Sequence, residues 1–168
     1  MKMIPLQRLT PEVFAPYGDV IEATGEPSYQ INNGNADRYH ALATVTHDAQ
    51  GSAIISIVNS RKQPTPHTVT VVERHPLGSQ AFIPRDKTPF VIVVAEAGER
   101  VRSDQLRAFI SNGEQGINYH AGTWHGLLLT PFADMSFICV DRDGAGNNCE
   151  EWHFDEVDQV LLDIPPLD

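Results

Sequence analysis

Five side chains in two short stretches could do chemistry together: Glu73, His75 and Gln80 in Glu73-Arg74-His75-Pro76-Leu77-Gly78-Ser79-Gln80, and His120 and His125 in His120-Ala121-Gly122-Thr123-Trp124-His125. In an extended strand, side chains two residues apart share a face. Glu73 and His75 therefore point together above Val71, and Val72 and Arg74 point the other way. Pro76-Leu77-Gly78 reads as a turn, so Gln80 on the returning strand can come back to the first face. Gly122 permits a second tight turn, after which His125 stands at the mouth of Leu127-Leu128-Leu129. One carboxylate and imidazoles that titrate near neutrality suit general acid–base work. Glu73, His75, Gln80 and His125 also make a ligand set for a divalent first-row ion, with a single formal negative charge. Each residue has a duller reading: His75 as a turn histidine, His120 and His125 as rim structure, Gln80 as an ordinary polar residue. What sets them apart is that both frames occur in one chain, in order, with strand-like sequence between them.

The elements that must position these groups are short and punctuated. Ile54 to Val58, Thr68 to Val72, Ala81 to Pro84, Phe90 to Ala95, Leu106 to Ile110, Leu127 to Thr130 and Met135 to Val140 all read as strands. Gly, Pro, Asn and Asp fill the gaps. Leu9 to Tyr17 reads as a short helix, with Thr10 as cap, Pro11 at the first position and Glu12 in the first turn. Asp155 to Leu162 is a second short helical candidate. Many short strands in a chain of 168 residues predict one all-β domain over residues 1–168, a sandwich, barrel or jelly roll.

Composition narrows the partners. Twelve Lys and Arg stand against 22 acids, a net charge of −10, which excludes a phosphate-tracking basic face and hence nucleic acid. No Lys or Arg follows Arg142, so residues from about 150 to 168 read as an acidic tail, either solvated or a docking arm. Cys139, in the apolar run Ser136 to Val140, reads as a buried hydrophobe, and Cys149 lies in a polar loop without a neighbouring His. Two such cysteines make no disulfide framework and fit a reducing compartment. The first residues lack a signal-peptide pattern, and Phe90 to Ala95 is too short to span a bilayer. The expectation is a cytoplasmic protein without a membrane partner.

The two frames resemble the two cupin motifs, His-x-His followed by Glu, and Pro-x-Gly-x-x-His. Glu73 stands at the first His position, His75 at the second, Gln80 at the Glu and His125 at the final His. His120 stands where Pro is usual. The resemblance implies a double-stranded β-barrel, here with a degenerate site.

A closer resemblance runs from near the N-terminus to about Cys149. Phe14 to Ile21, Ile31-Asn32-Asn33-Gly34, Arg38-Tyr39-His40, Glu73 to Pro84 and Leu106 to His120 are similar to the ureidoglycolate lyases of allantoin degradation. That resemblance implies a homodimer that splits (S)-ureidoglycolate, a small-molecule substrate, into glyoxylate and urea. It also implies nickel stimulation, no organic cofactor, and an older description as a hydrolase releasing ammonia. The carbinolamide needs its hydroxyl proton removed and its urea nitrogen protonated, which assigns Glu73 or His125 as base and His75 or His120 as acid or ligand. Arg38, Arg74 and Arg107 are candidates for the substrate carboxylate, with Arg74 weakened by its opposite face. Asn32, Asn33 and Asn118 are candidates for the urea amide, and Gln80 is a further candidate for binding the substrate. Another cupin enzyme, an isomerase or oxygenase, and a non-catalytic cupin that binds a small acid are the alternatives.

Overall fold

A computed structural model of the chain describes residues 1–167. Strand β1 (Lys2–Arg8) leads into helix α1 (Pro11–Phe14), where the Thr10 hydroxyl accepts the Val13 N–H at 3.3 Å and Pro11 opens the first turn. Phe14 is wholly buried, so this helix plugs a core rather than decorating a surface. Then come β2 (Gly18–Ile21), the hairpin β3 (Tyr29–Ile31) and β4 (Ala36–Arg38), and the long β5 (Gly51–Ser60). β6 (His67–Val69), β7 (Val71–Arg74), β8 (Gln80–Pro84), β9 (Val91–Ala95) and β10 (Arg107–Ile110) form the middle. β11 (Gly116–Tyr119), β12 (Trp124–His125), β13 (Met135–Gly144), β14 (Glu150–His153) and β15 (Val160–Asp163) complete the chain.

Two main sheets result: an eight-stranded one in the order β14-β7-β12-β9-β10-β1-β15-β6, and a five-stranded one in the order β2-β11-β8-β13-β5. Only Thr70 separates β6, at one edge of the larger sheet, from β7 near the other edge, so that sheet must curl on itself. Alternation along β9 divides the core in two. Val91, Val93 and Ala95 pack with Val72, Ala108, Trp124 and Val160 in one cluster, while Ile92 and Val94 face Phe14, Phe82, Ile117 and Phe137 in the other. The second cluster unites strands of both sheets. The architecture is the expected mostly-β, cupin-like barrel.

Three differences from the sequence reading have physical causes. The strand expected over Thr68 to Val72 breaks at Thr70, whose carbonyl accepts the Phe154 N–H at 2.9 Å. Leu127 to Thr130 is not a strand; it makes one bridge, Leu129 to Val91, and the pairing strand is Trp124–His125 just before it. The expected helix at Asp155 to Leu162 is absent. A turn closed by the Asp158 N–H on the Asp155 carbonyl at 2.8 Å leads instead into β15. There Val160 and Leu162 alternate inward, and β15 pairs with both β1 and β6. The acidic segment therefore supplies two paired strands rather than a free tail; Asp168 lies outside the described residues.

Leu162 is 1% exposed. Leu162→Ala is expected to cost about 2–5 kcal/mol in urea denaturation; a loss under about 0.5 kcal/mol, the range of surface substitutions, would show that β15 is not part of the core.

Candidate active site

β7 presents the first pair of groups as alternation demands. Val72 is buried in the first core, and Arg74 lies 4.9 Å over the Trp124 ring with its Nη2 2.6 Å from Glu150 Oε2. Glu73 and His75 take the opposite face, and Glu73 Oε1 lies 3.7 Å from His75 Nε2. β12 brings in the third group: His125 lies opposite both Glu73 on β7 and Val94 on β9. The His75 and His125 ring centres are 5.0 Å apart. Ligand-capable atoms of Glu73, His75 and His125 all lie within 4.8 Å of one another.

The tautomers follow from the partners. A carbonyl oxygen only accepts, so His75 Nδ1–H donates to the Asn148 carbonyl at 2.7 Å and His125 Nδ1–H donates to its neighbour Gly126 at 3.1 Å. In a neutral imidazole the lone pair then sits on Nε2. Both Nε2 atoms are buried without a hydrogen-bond partner among the described residues. Gln80 Nε2 donates to Asp141 Oδ2 at 3.1 Å, and the amide oxygen Oε1 is buried and unpartnered too. Burial first, and the electrostatic influence of neighbouring His75 second, hold His125 down at about 3, so it is neutral at ordinary pH.

This donor set fits a divalent first-row ion. Two imidazoles present buried Nε2 atoms beside a carboxylate, with each opposite ring N–H fixed by a backbone carbonyl, the usual outer support of a metal-binding histidine. Gln80 Oε1 is a further buried oxygen with no donor of its own.

Three neighbours escaped the sequence reading. Tyr119 stacks on His125 with centres 4.2 Å apart and planes 6° from parallel, and burial, then the Glu73 charge, keep its phenol protonated. Asp141 extends the inward alternation of Phe137 and Cys139 along β13, a signal present in the sequence. Cys149 places its thiol 3.8 Å from Glu73 Oε2; burial and the charges of Glu73 and Glu151 raise its pKa, so it stays a thiol. Only the tertiary fold brings that loop over the site.

The remaining candidates lie elsewhere. His120 Nε2 contacts Asp19 Oδ2 at 3.2 Å, and Asn118 Nδ2 donates to the same oxygen at 3.0 Å. Both therefore sit on the face of β11 opposite Tyr119. Asn118 is buried, its Nδ2 also reaching the Thr44 carbonyl at 3.3 Å. Arg107 is exposed and donates to the carbonyls of Asp104 and Leu106. Arg38 is exposed on the β3–β4 hairpin, 5.9 Å over Tyr29. Asn32 and Asn33 hold the hairpin turn with φ of 53° and 55°.

Fold and site together define the class: a cupin-type β-barrel enzyme with a two-imidazole, one-carboxylate centre between its sheets. The family model described as ureidoglycolate lyase matches residues 1–161, and the chain belongs to that family. It is 48% identical to the ureidoglycolate lyase of Pseudomonas syringae pv. syringae (strain B728a), over 100% of this chain and 99% of that one. It is 49% identical to that of Pseudomonas aeruginosa (strain LESB58), over 97% of each. Against that of Pseudomonas fluorescens (strain Pf0-1) the identity is 50%, over 96% of this chain and 98% of the relative.

The depressed His125 pKa sets a pH dependence. The unfolded imidazole binds a proton near its ordinary value of 6.5, the folded one only near 3. Unfolding between those values takes up a proton, so stability falls as the pH drops through that window. Urea denaturation of chelator-treated protein is expected to show this slope, and His125→Gln to flatten it. An unchanged slope in the variant would assign the acid sensitivity to other groups.

Proposed function

We propose that the chain cleaves (S)-ureidoglycolate to glyoxylate and urea in allantoin and purine breakdown, as a cytoplasmic homodimer. The observation that carries the chemistry is the Glu73 carboxylate facing two imidazole lone pairs in the inter-sheet core. The ligand set alone does not choose between a lyase and an oxygenase cupin, since two imidazoles and a carboxylate also serve non-haem iron. Full-length kinship to ureidoglycolate lyases favours the lyase.

The substrate carries a hydroxyl and a urea nitrogen on one carbon. Glu73 takes the hydroxyl proton, the oxygen's electrons form the carbonyl of glyoxylate, and the carbon–nitrogen bond breaks toward urea. The departing nitrogen needs one proton, and Glu73 returns the one it took, so the enzyme ends as it began. Glu73 Oε1 faces His75 and Oε2 faces the Cys149 thiol, which leaves the carboxylate oriented from two sides. The Gln80 amide oxygen can accept a urea N–H. Neutral His125, stacked under Tyr119, cannot supply a proton at neutral pH and serves by its lone pair. A divalent ion, nickel by family resemblance, would be held by Glu73, His75, His125 and Gln80, and when bound would lower the pKa of the substrate hydroxyl.

Glu73→Gln keeps the shape and removes the base. Its turnover of (S)-ureidoglycolate is expected to fall by about 10²- to 10⁴-fold, with glyoxylate and urea quantified together. Turnover equal to the parent's would remove Glu73 from the role, and ammonia in place of urea would support hydrolysis.

A further inference from the structure

The substrate is an anion, and a carboxylate in a partly buried site calls for a guanidinium. Among the described residues, no Arg or Lys side chain bonds to Glu73, Gln80 or Asp141. Arg74 is committed to Glu150 and the Gly98 carbonyl, Arg142 to Asp48 and the Ala145 carbonyl, and Arg107 to two carbonyls of its own loop. Arg38 is different. Its guanidinium lies over the Tyr29 ring and, like those of Arg8, Arg61 and Arg100, makes no hydrogen bond or ion pair among the described residues; what sets Arg38 apart is that it stands on a hairpin whose side-chain bonds do not reach the barrel.

That hairpin is an amphipathic ribbon with its apolar side uncovered. The register pairs Tyr29 with Arg38 and Ile31 with Ala36, so these four share one face, and Gln30 and Asp37 share the other. Tyr29 and Ile31 are exposed nonetheless. From Gly25 to His40 the side-chain bonds all stay within the segment: Tyr29 to His40, Gln30 to Asp37, Asn35 to the Asn32 carbonyl, Tyr39 to the Gly25 carbonyl, and the His40 N–H to Ser28. An isolated two-stranded hairpin is marginal in water. This one needs a surface, and its own barrel leaves it bare. Elsewhere the barrel bares apolar surface of its own: Ile55 and Ile57 on the edge strand β5 are 77% and 55% exposed, and among the described residues the far edge of that strand has no pairing partner. Two uncovered apolar surfaces on one chain suit a closed pair of identical copies.

We propose that the β3–β4 hairpin docks its Tyr29–Ile31–Ala36–Arg38 face on a second copy of the chain and delivers Arg38 to the partner subunit's Glu73–His75–His125 site, where the guanidinium grips the substrate carboxylate. Arg38's role rests on the lyase reading; the docking of the hairpin does not. Each site is then complete only in the dimer.

Complementation tests the assignment. Arg38→Ala lowers kcat/KM by about 10- to 100-fold, the worth of a charge-assisted contact, and Glu73→Gln lowers turnover by the about 10²- to 10⁴-fold expected for loss of the base. Differently tagged chains carrying these two substitutions are co-expressed and the mixed dimer is isolated. With Arg38 acting across the interface, one of its two sites is intact, and activity returns to about half that of the parent dimer. Activity no higher than the variants' own, or an Arg38→Ala homodimer as active as the parent, overturns the proposal. Independently of activity, sedimentation is expected to give a dimer for the parent and a monomer for Ile31→Asp; a monomeric parent, or an unaltered dimer in Ile31→Asp, overturns the docking. A parent that forms this dimer without turning over ureidoglycolate sinks the lyase reading and Arg38's part in it, and leaves the docked hairpin standing.

Discussion

Two backbone carbonyls govern the chemistry of this barrel. By accepting the Nδ1–H groups of His75 and His125, the Asn148 and Gly126 carbonyls decide which nitrogen of each ring is bare. The bare nitrogens face Glu73 in a region where burial excludes competing donors. Ring rotation would leave the buried N–H without its acceptor and the carbonyl without its donor, each costing about 1–3 kcal/mol when buried. Orientation of the site is therefore built into the backbone, and the strands exist to hold those two carbonyls and three side chains in register.

The holding is unequal in its reach. Gly126 is the next residue to His125, so that contact is made as soon as β12 pairs with β9. Asn148 is far along the chain and must be carried back by the β13–β14 connection. Arg142 anchors that return: its side chain is buried, paired with Asp48 at 2.7 Å, and bonded to the Ala145 carbonyl. Asn148 itself closes the loop through its side chain, accepting the Leu77 N–H at 2.8 Å. The turn after His75 and the loop over His75 are thus one structure, joined by a single asparagine.

What could be read from residue order alone is what strand periodicity encodes. Glu73 with His75, and Arg74 away from them, follow from the two-residue repeat and need no tertiary knowledge. The same repeat runs through Phe137, Cys139 and Asp141 and through Val160 and Leu162, where it was hidden by the surrounding acids. A strand two inward residues long resembles a helical turn in so short a window, which is why the sequence of β15 reads as helical. His120 illustrates a different limit. Its place in a cupin frame is correct in spacing, yet one residue of alternation puts it on Asp19, across the sheet from Tyr119. The approach of Cys149 to Glu73 depends on a connection between strands and leaves no local trace.

The degenerate frame also has an electrostatic logic. A standard cupin set of three histidines and one glutamate carries one negative charge, and so does Glu73, His75, Gln80 and His125. Relative to the cupin motifs the carboxylate stands on β7 rather than β8, directly opposite His125, and an amide stands in the glutamate's place. An amide in that slot can be oriented from behind by a second carboxylate, which a glutamate there could not tolerate without protonation. Asp141 does this, its oxygen receiving the Gln80 N–H and turning the amide oxygen away from itself. Gln80 thereby separates Asp141 from Glu73 by a neutral group. The exchange keeps the charge of the site while moving its one basic oxygen pair to the strand where both imidazole lone pairs already point.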